Sequence, residues 1–274
     1  MNHTKAVAVV KREILPSICA LSVPAQKLMA LAIGQIRPSS VNLGDLRFVI
    51  SAVDFAELSG IKPNTAWRQL GSACKHLMAR PPILLEKKDI LPLIPRVGDS
   101  LIPRTPSHTQ MHLVSAASYY AYDQEIEIEF SRAFEPYLVQ MSKTTIYHKD
   151  RVSTIMLMSS KHNLMFYRAL AKFGGNKNKF DYFWSVTLDG FREELGLGDS
   201  YSDIRNLDKI INPAMLIVEK NSEFKTIKCE KIKVGRKVVS LKFTYENENK
   251  PDAVQSEKIV SGCNENEKDW VTEE

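Results

Sequence analysis

Lys228, Lys231, Lys233, Arg236, Lys237 and Lys242 crowd onto one stretch whose other positions alternate between apolar and polar. Ammonium and guanidinium groups at that density suit ion pairing with a polyanion, nucleic-acid phosphate foremost. Lysines on an edge strand also guard against aggregation, but fewer would serve that purpose. Two further groups carry the donors and acceptors that base edges require. Asn64, Thr65, Arg68, Gln69, Ser72, Lys75 and His76 share one side of an apolar-periodic segment, and Arg205, Asn206 and Lys209 share one side of another. A polar helix face is by itself only a solvated face, so the weight falls on what surrounds it.

Catalytic constellations are weaker. A DNA-nicking site needs a metal-binding His pair beside a nucleophilic Tyr. His108 and His112 precede Tyr119 and Tyr120, yet no acid or third His stands at ligand spacing. No Gly-x-x-x-x-Gly-Lys loop appears, and Gly196-Leu-Gly198 meets Tyr201 where a dinucleotide fingerprint needs its third glycine. That pair reads more simply as a helix terminus. Cys19, Cys74, Cys229 and Cys263 stand far apart with no Cys-x-x-Cys, so they read as buried or idle thiols and not as zinc ligands. The expectation is a binding protein with no catalytic residue, no cofactor and no metal.

Periodicity and punctuation give the local structure that carries these side chains. Between 185 and 243 the order is strand (Ser185-Val-Thr-Leu188), short helix (Phe191 to Leu197), second helix from Tyr201 to about residue 220, then a hairpin turning at Val234-Gly235-Arg236. Ile204, Leu207, Ile210, Ile211, Ala214 and Leu216 supply the buried side of that second helix. A coarser version of the order occupies 48–88. Phe48-Val-Ile50 is a strand, Ser51 caps a helix ended by Gly60, and Pro63-Asn64-Thr65 opens a helix to about Ala79, before Pro81-Pro82. Ile83 to Lys88 reads as a first wing strand, Arg96 to Gln110 as a Pro- and Ser-containing loop, and Glu125 to Phe130 as a half-buried strand.

Upstream, Val7 to Val10 is a strand or an arm. Ser22 caps a helix carrying Leu28, Leu31, Ala32 and Ile36, a stripe that is core or a subunit contact. Ser131 starts a helix interrupted or begun near Pro136. Met141 to Val152 reads as the interdomain connection, and one long helix from about Ile155 through Leu164, Phe166, Tyr167 and Leu170 stops at Gly174-Gly175.

A length of 274 residues with 44% hydrophobic and 25% charged residues suits two globular domains. No apolar run approaches a membrane span, so the chain reads as cytosolic with no membrane partner. The net charge of +5 is unevenly spread. From Glu246 onward nine acids face three lysines, which leaves +11 on residues 1–245. A basic body with an acidic tail fits a nucleic-acid binder. The expected units are 1–145, 146–245 and an acidic, disordered tail, 246–274.

Taken in order, these segments resemble the iteron-binding plasmid replication initiators, the RepE/RepA-like group. The resemblance spans Val7 to Tyr245. It rests on Leu21-Ser22 and the helix to Gln35-Ile36, on Phe55-Ala-Glu-Leu-Ser-Gly60, Leu164-Met-Phe-Tyr167, Phe191 to Leu197 before Tyr201, Asn212-Pro-Ala214, and most specifically on Lys233-Val-Gly-Arg-Lys-Val-Val-Ser-Leu-Lys-Phe243. It departs where the family often has a basic cluster before the equivalent of Ile210-Ile211, here Asn206-Leu-Asp-Lys209, and where Glu-Ile-Asn is common, here Ile217 to Asn221.

The resemblance implies an α+β chain of two tandem winged-helix domains related by pseudo-twofold symmetry. It implies monomers on direct repeats of double-stranded origin DNA, help in opening the duplex, and host initiator and replicative helicase as partners. It also implies dimers, formed largely through the first domain, that repress at an operator inverted repeat. The alternatives are a winged-helix transcriptional repressor without an origin role and a winged-helix protein scaffold. In the expected mechanism Arg68, Gln69 and Lys75 contact one major groove, Arg205, Asn206 and Lys209 the next, and Lys231, Lys233, Arg236 and Lys237 grip phosphates.

Overall fold

The order of elements over residues 7–130 returns over residues 147–247. The first set is β1 (Val7–Lys11), α1 (Leu15–Cys19), α2 (Val23–Ile33), β2 (Arg47–Ser51), α3 (Ala52–Ser59), α4 (Pro63–Ala79), the pair β3 (Ile83–Glu86) and β4 (His108–Met111), and the hairpin β5 (Val114–Tyr120) and β6 (Glu125–Phe130). The second is β7 (Tyr147–Arg151), α5 (Val152–Leu157), α6 (Lys161–Phe173), β8 (Tyr182–Thr187), α7 (Leu188–Leu195), α8 (Ile204–Asn221) and the hairpin β9 (Phe224–Val234) and β10 (Lys237–Asn247). This computed structural model describes residues 6–95, 106–141, 146–173, 182–201 and 204–248, without the side chains of 199 and 200. The first strands of the two sets pair antiparallel with each other, Val9 opposite Lys149. In the sheets β2-β6-β5 and β8-β10-β9, the strand before the helix pair lies beside the second strand of the hairpin. The chain is therefore α+β, two tandem winged-helix units.

The same local chemistry builds both helix pairs. Ser51 Oγ accepts from Val53 N at 3.1 Å and Thr187 Oγ1 from Gly190 N at 3.1 Å, which starts α3 and α7. Gly60 (φ 64) and Gly196 (φ 63) end them in left-handed geometry that a side chain would strain. Phe55 and Phe191, both fully buried, anchor the two short helices in the core. In the second unit that core is aromatic: the Phe243 ring lies 5.2 Å from both Phe166 and Trp184 and 5.7 Å from Phe191.

Several expectations need correction. The long helix is two, α5 and α6, divided at residues 158–160. Ser160 Oγ accepts from Asn163 N at 3.2 Å and so restarts it. Among the described residues from Ser131 to Met141 the helical element is a single 3-10 turn, Glu135–Tyr137. The end of the supposed 96–110 loop is β4, which pairs with β3, Glu86 opposite His108. The 141–152 connection contains β7, because Tyr147–Arg151 is satisfied by β1. Leu216 is 69% exposed, and Val218 takes the buried position instead. β10 runs two residues past Tyr245. Residues 96–105, the Gly174-Gly175 stop and the tail from 249 lie outside the described residues. Among the described residues no helix is long and apolar enough to cross a membrane.

Candidate nucleic-acid interface

α4 begins with Pro63 in its first turn, where a missing N–H costs nothing. It buries Ala66, Leu70, Ala73, Cys74 and Leu77 against α2 and α3. The opposite side leaves Asn64, Arg68, Ser72 and Lys75 exposed, with Thr65 and Gln69 half-buried. Arg68 Nε reaches back to the Asn64 carbonyl at 3.4 Å, so its guanidinium lies along the first turn. His76, read from the sequence as part of the same face, is engaged elsewhere: its Nε2 accepts from Ser22 N at 3.3 Å and ties α4 to the start of α2. On the buried side, burial pushes the Cys74 thiol up to about 11, with a hydrogen bond from the Tyr119 side chain acting against it. Cys74 is therefore packing, and no thiolate forms near neutral pH.

α8 buries Leu207, Ile210, Ile211, Ala214 and Val218 on α6 and β9. Arg205 and Lys209 are exposed and Asn206 is half-buried, its Oδ1 accepting from Lys209 Nζ at 3.3 Å. Asn212, Pro213 and Leu216 are exposed as well. Arg205, Lys209, Asn212 and Leu216 recur at helical spacing, so one outward stripe carries all four. Sequence reasoning missed Asn212 and misplaced Leu216. The signal was present, since extending the spacing beyond Lys209 reaches Asn212 after one turn and Leu216 after two.

The hairpin turns at Gly235-Arg236, with Val234 paired to Lys237. Gly235 has φ 61 at the first turn position, which a two-residue loop of this hand requires. Lys233, Arg236 and Lys237 are exposed at the tip. Among the described residues none of the three is held in an ion pair. Lys231 differs. Its Nζ lies 2.6 Å from Asp208 Oδ2 and locks the hairpin to α8. Lys242 lies 5.8 Å over the Phe183 ring, on the sheet face away from the helices. Ile232, Val234 and Val239 expose apolar surface beside the tip cations.

Through Asp208 the structure joins Lys231 to the turn of α8 that carries Arg205, Asn206 and Lys209, while Lys233, Arg236 and Lys237 lie farther out on the hairpin. The residues of α4 form a separate surface on the first unit. His108 sits in β4 and Tyr119 and Tyr120 in β5. Among the described residues no group of His, Cys, Asp and Glu is placed to hold a metal.

Comparison with known proteins gives this arrangement a family. The PI protein of Escherichia coli is 24% identical over 248 residues, a match spanning 86% of this chain and 81% of that protein. The crystal structure of the Pi initiator protein in complex with iteron DNA matches with a TM-score of 0.71 at 21% identity, over 90% of this chain and 99% of that one. At that identity it shows a shared fold. The model for the WH1 unit of initiator replication proteins matches residues 9–171, through α6, and the model for the WH2 unit matches 187–245. With both winged-helix units matched in order along most of its length, the chain belongs to the family of replication initiator proteins.

Proposed function

We propose that the chain binds the direct repeats of a plasmid origin as a monomer, with α4 and α8 in successive major grooves roughly 34 Å apart on one face of the duplex. Arg68, Gln69 and Lys75, with Asn64, Thr65 and Ser72 beside them, meet the first groove. Arg205, Asn206 and Lys209 meet the second, joined by Asn212 on the same stripe. Lys233, Arg236 and Lys237 take phosphates, and Lys231 sets the hairpin against α8. The observation that carries this reading is the repeated helix pair, each with an exposed polar face, followed in the second unit by a hairpin whose tip cations are uncompensated. The iteron complex of the related Pi protein supports the choice of DNA.

In this reading units 1–145 and 146–245 each supply one helix. The duplex opens through bending and through recruitment of the host initiator and helicase in the bacterial cytoplasm, with no chemical step by this chain. A dimer, formed largely through the first unit, represses at an operator inverted repeat. The test is a gel shift on DNA flanking the chain's own gene, with excess unrelated competitor. A ladder of specific complexes on direct repeats supports the origin role. A single complex at an inverted repeat, with none elsewhere, makes the chain a dedicated repressor. No specific shift removes the reading altogether.

A further inference from the structure

A buried polar cluster joins elements of the first set to elements of the second. Arg168, on α6 and 5% exposed, donates from Nε and Nη2 to Asp150 Oδ2 at 3.0 and 2.7 Å. Asp150 lies on β7, and its other oxygen, Oδ1, is 2.7 Å from His148 Nε2. From the far side of the guanidinium, Nη1 donates to Gln26 Oε1 at 2.6 Å and to Cys19 Sγ at 3.2 Å. Gln26, fully buried on α2, in turn donates from Nε2 to the carbonyls of Cys19 and Leu21 at 3.2 and 2.9 Å. Burial alone would raise the Asp150 carboxyl, but Arg168 and His148 overcome it and hold it well below the usual carboxylate range.

The WH1 match covers every residue of this cluster, but α6 also packs into the core of the second set of elements and so carries the cluster into it. α6 is a core helix of the second: Phe166 packs on Phe243, Tyr167 on Phe224, and the Leu170 carbonyl accepts from Tyr245 Oη at 2.7 Å. α2 packs against α4 in the first unit, and α6 packs against α8. A continuous path of rigid elements therefore runs from α4 through α2, Gln26, Arg168 and α6 to α8. An apolar contact can slide, whereas a planar guanidinium shared among three acceptors has one geometry. Buried ion pairs are weak evidence for stability, and their best-attested use is to fix registry.

We propose that Arg168 is a positioning residue that fixes the separation and angle of α4 and α8, by clasping Asp150 on one side and Gln26 and Cys19 on the other. Its consequence for DNA rests on the two-groove reading given above; the clasp itself does not.

The test uses the full chain, with nitroxide-bearing p-acetylphenylalanine at Met78 on α4 and Leu216 on α8, both exposed positions. With the labelled chain diluted in excess unlabelled chain, so that a dimer adds no second distance, pulsed electron resonance then reads the distance between the two helices without DNA. The free wild-type background should give one narrow distribution. Arg168→Lys keeps the charge but cannot span all three acceptors, and Gln26→Met leaves the Arg168–Asp150 pair intact. Each should broaden the distribution while the far-ultraviolet dichroism is unchanged.

On the DNA segment footprinted by the wild type, Arg168→Lys should bind about tenfold more weakly, which is about 1.4 kcal/mol. Inserting one base pair between the two contacted grooves, a turn of about 35°, should cost that variant less than it costs the wild type. Distributions as narrow as the wild type's in both variants overturn the proposal, as does a fall in melting temperature with no broadening in the folded protein. Broadening in both variants, with only one groove footprinted by the wild type, keeps the clasp and removes the two-groove reading.

Discussion

Lys231 Nζ sits 2.6 Å from Asp208 Oδ2, so this lysine of the cationic hairpin is already paired with the helix it flanks. Both side chains are about one-third exposed, and the pair contributes only about 0–1 kcal/mol to stability. Its larger effect is on charge. Asp208→Ala releases a cation beside α8, and affinity for unrelated duplex should rise, with the slope of log K against log salt steeper by about 0.9. Lys231→Ala leaves an unpaired carboxylate facing the duplex, and affinity should fall for every sequence. Salt titrations of both variants on unrelated DNA check the two opposite signs.

The tip cations and the α4 face separate strength from selectivity. Arg236→Ala or Lys237→Ala should weaken all sequences alike and flatten the salt slope by about 0.9 each. Arg68→Ala should relax the preference at one base position by about 1–3 kcal/mol, the value of a bidentate guanine contact. Binding to a library of single-base variants of the site distinguishes them. An unchanged preference in Arg68→Ala removes Arg68 from base reading.

Gly60 and Gly196 should be equally intolerant of a side chain, for a backbone reason. A Cβ at either would meet nothing within 4 Å, yet both sit in left-handed geometry, at φ 64 and 63. Gly60→Ala and Gly196→Ala should each cost about 1 kcal/mol. Denaturant midpoints should fall with an unchanged slope, and Gly71→Ala, in open space at ordinary φ within α4, should instead stabilise slightly.

Alkaline stability turns on Lys27 of α2, only 7% exposed, where burial lowers the amino group from 10.5 to about 8. Because the folded value lies below the unfolded one, the unfolded chain binds more protons between about pH 8 and 10.5, and this group's contribution to stability rises with pH across that window. At pH 7 the charge is retained inside the fold at a cost on the order of 1–3 kcal/mol. Lys27→Met should be more stable than the parent at pH 7, with the difference shrinking towards pH 10. Urea melts at the two pH values measure it.

How much of this was legible in the chain depended on whether its cause was local. Pro63, Ala79 before Pro81-Pro82, Ser51, Gly60, Gly196 and Gly235 marked their own boundaries, because turn and cap chemistry is decided within a few residues. The break at residues 158–160 carries no proline or glycine and depends on Ser160 capping Asn163, which an apolar stripe conceals. β7 exists because β1 pairs with it from the far end of the sequence. For the same reason, neither the Lys231–Asp208 pair nor the Arg168 clasp could be read from spacing: each joins elements that only the fold brings together. The residue type of Leu216 points inward, although its helical phase already puts it on the stripe with Arg205 and Lys209.

Whether both helices and the hairpin grip one duplex is read from the equilibrium affinity of the purified chain for its footprinted origin repeat across a series of salt concentrations, beside an unrelated duplex of equal length. Two helices and a cationic hairpin on one duplex should neutralise on the order of 6–10 phosphates, giving a log–log slope between about −5 and −9 and a specific complex that survives where the unrelated one dissociates. A slope near zero, or equal affinity for both duplexes at every salt concentration, would mean that the chain does not hold origin DNA in this way.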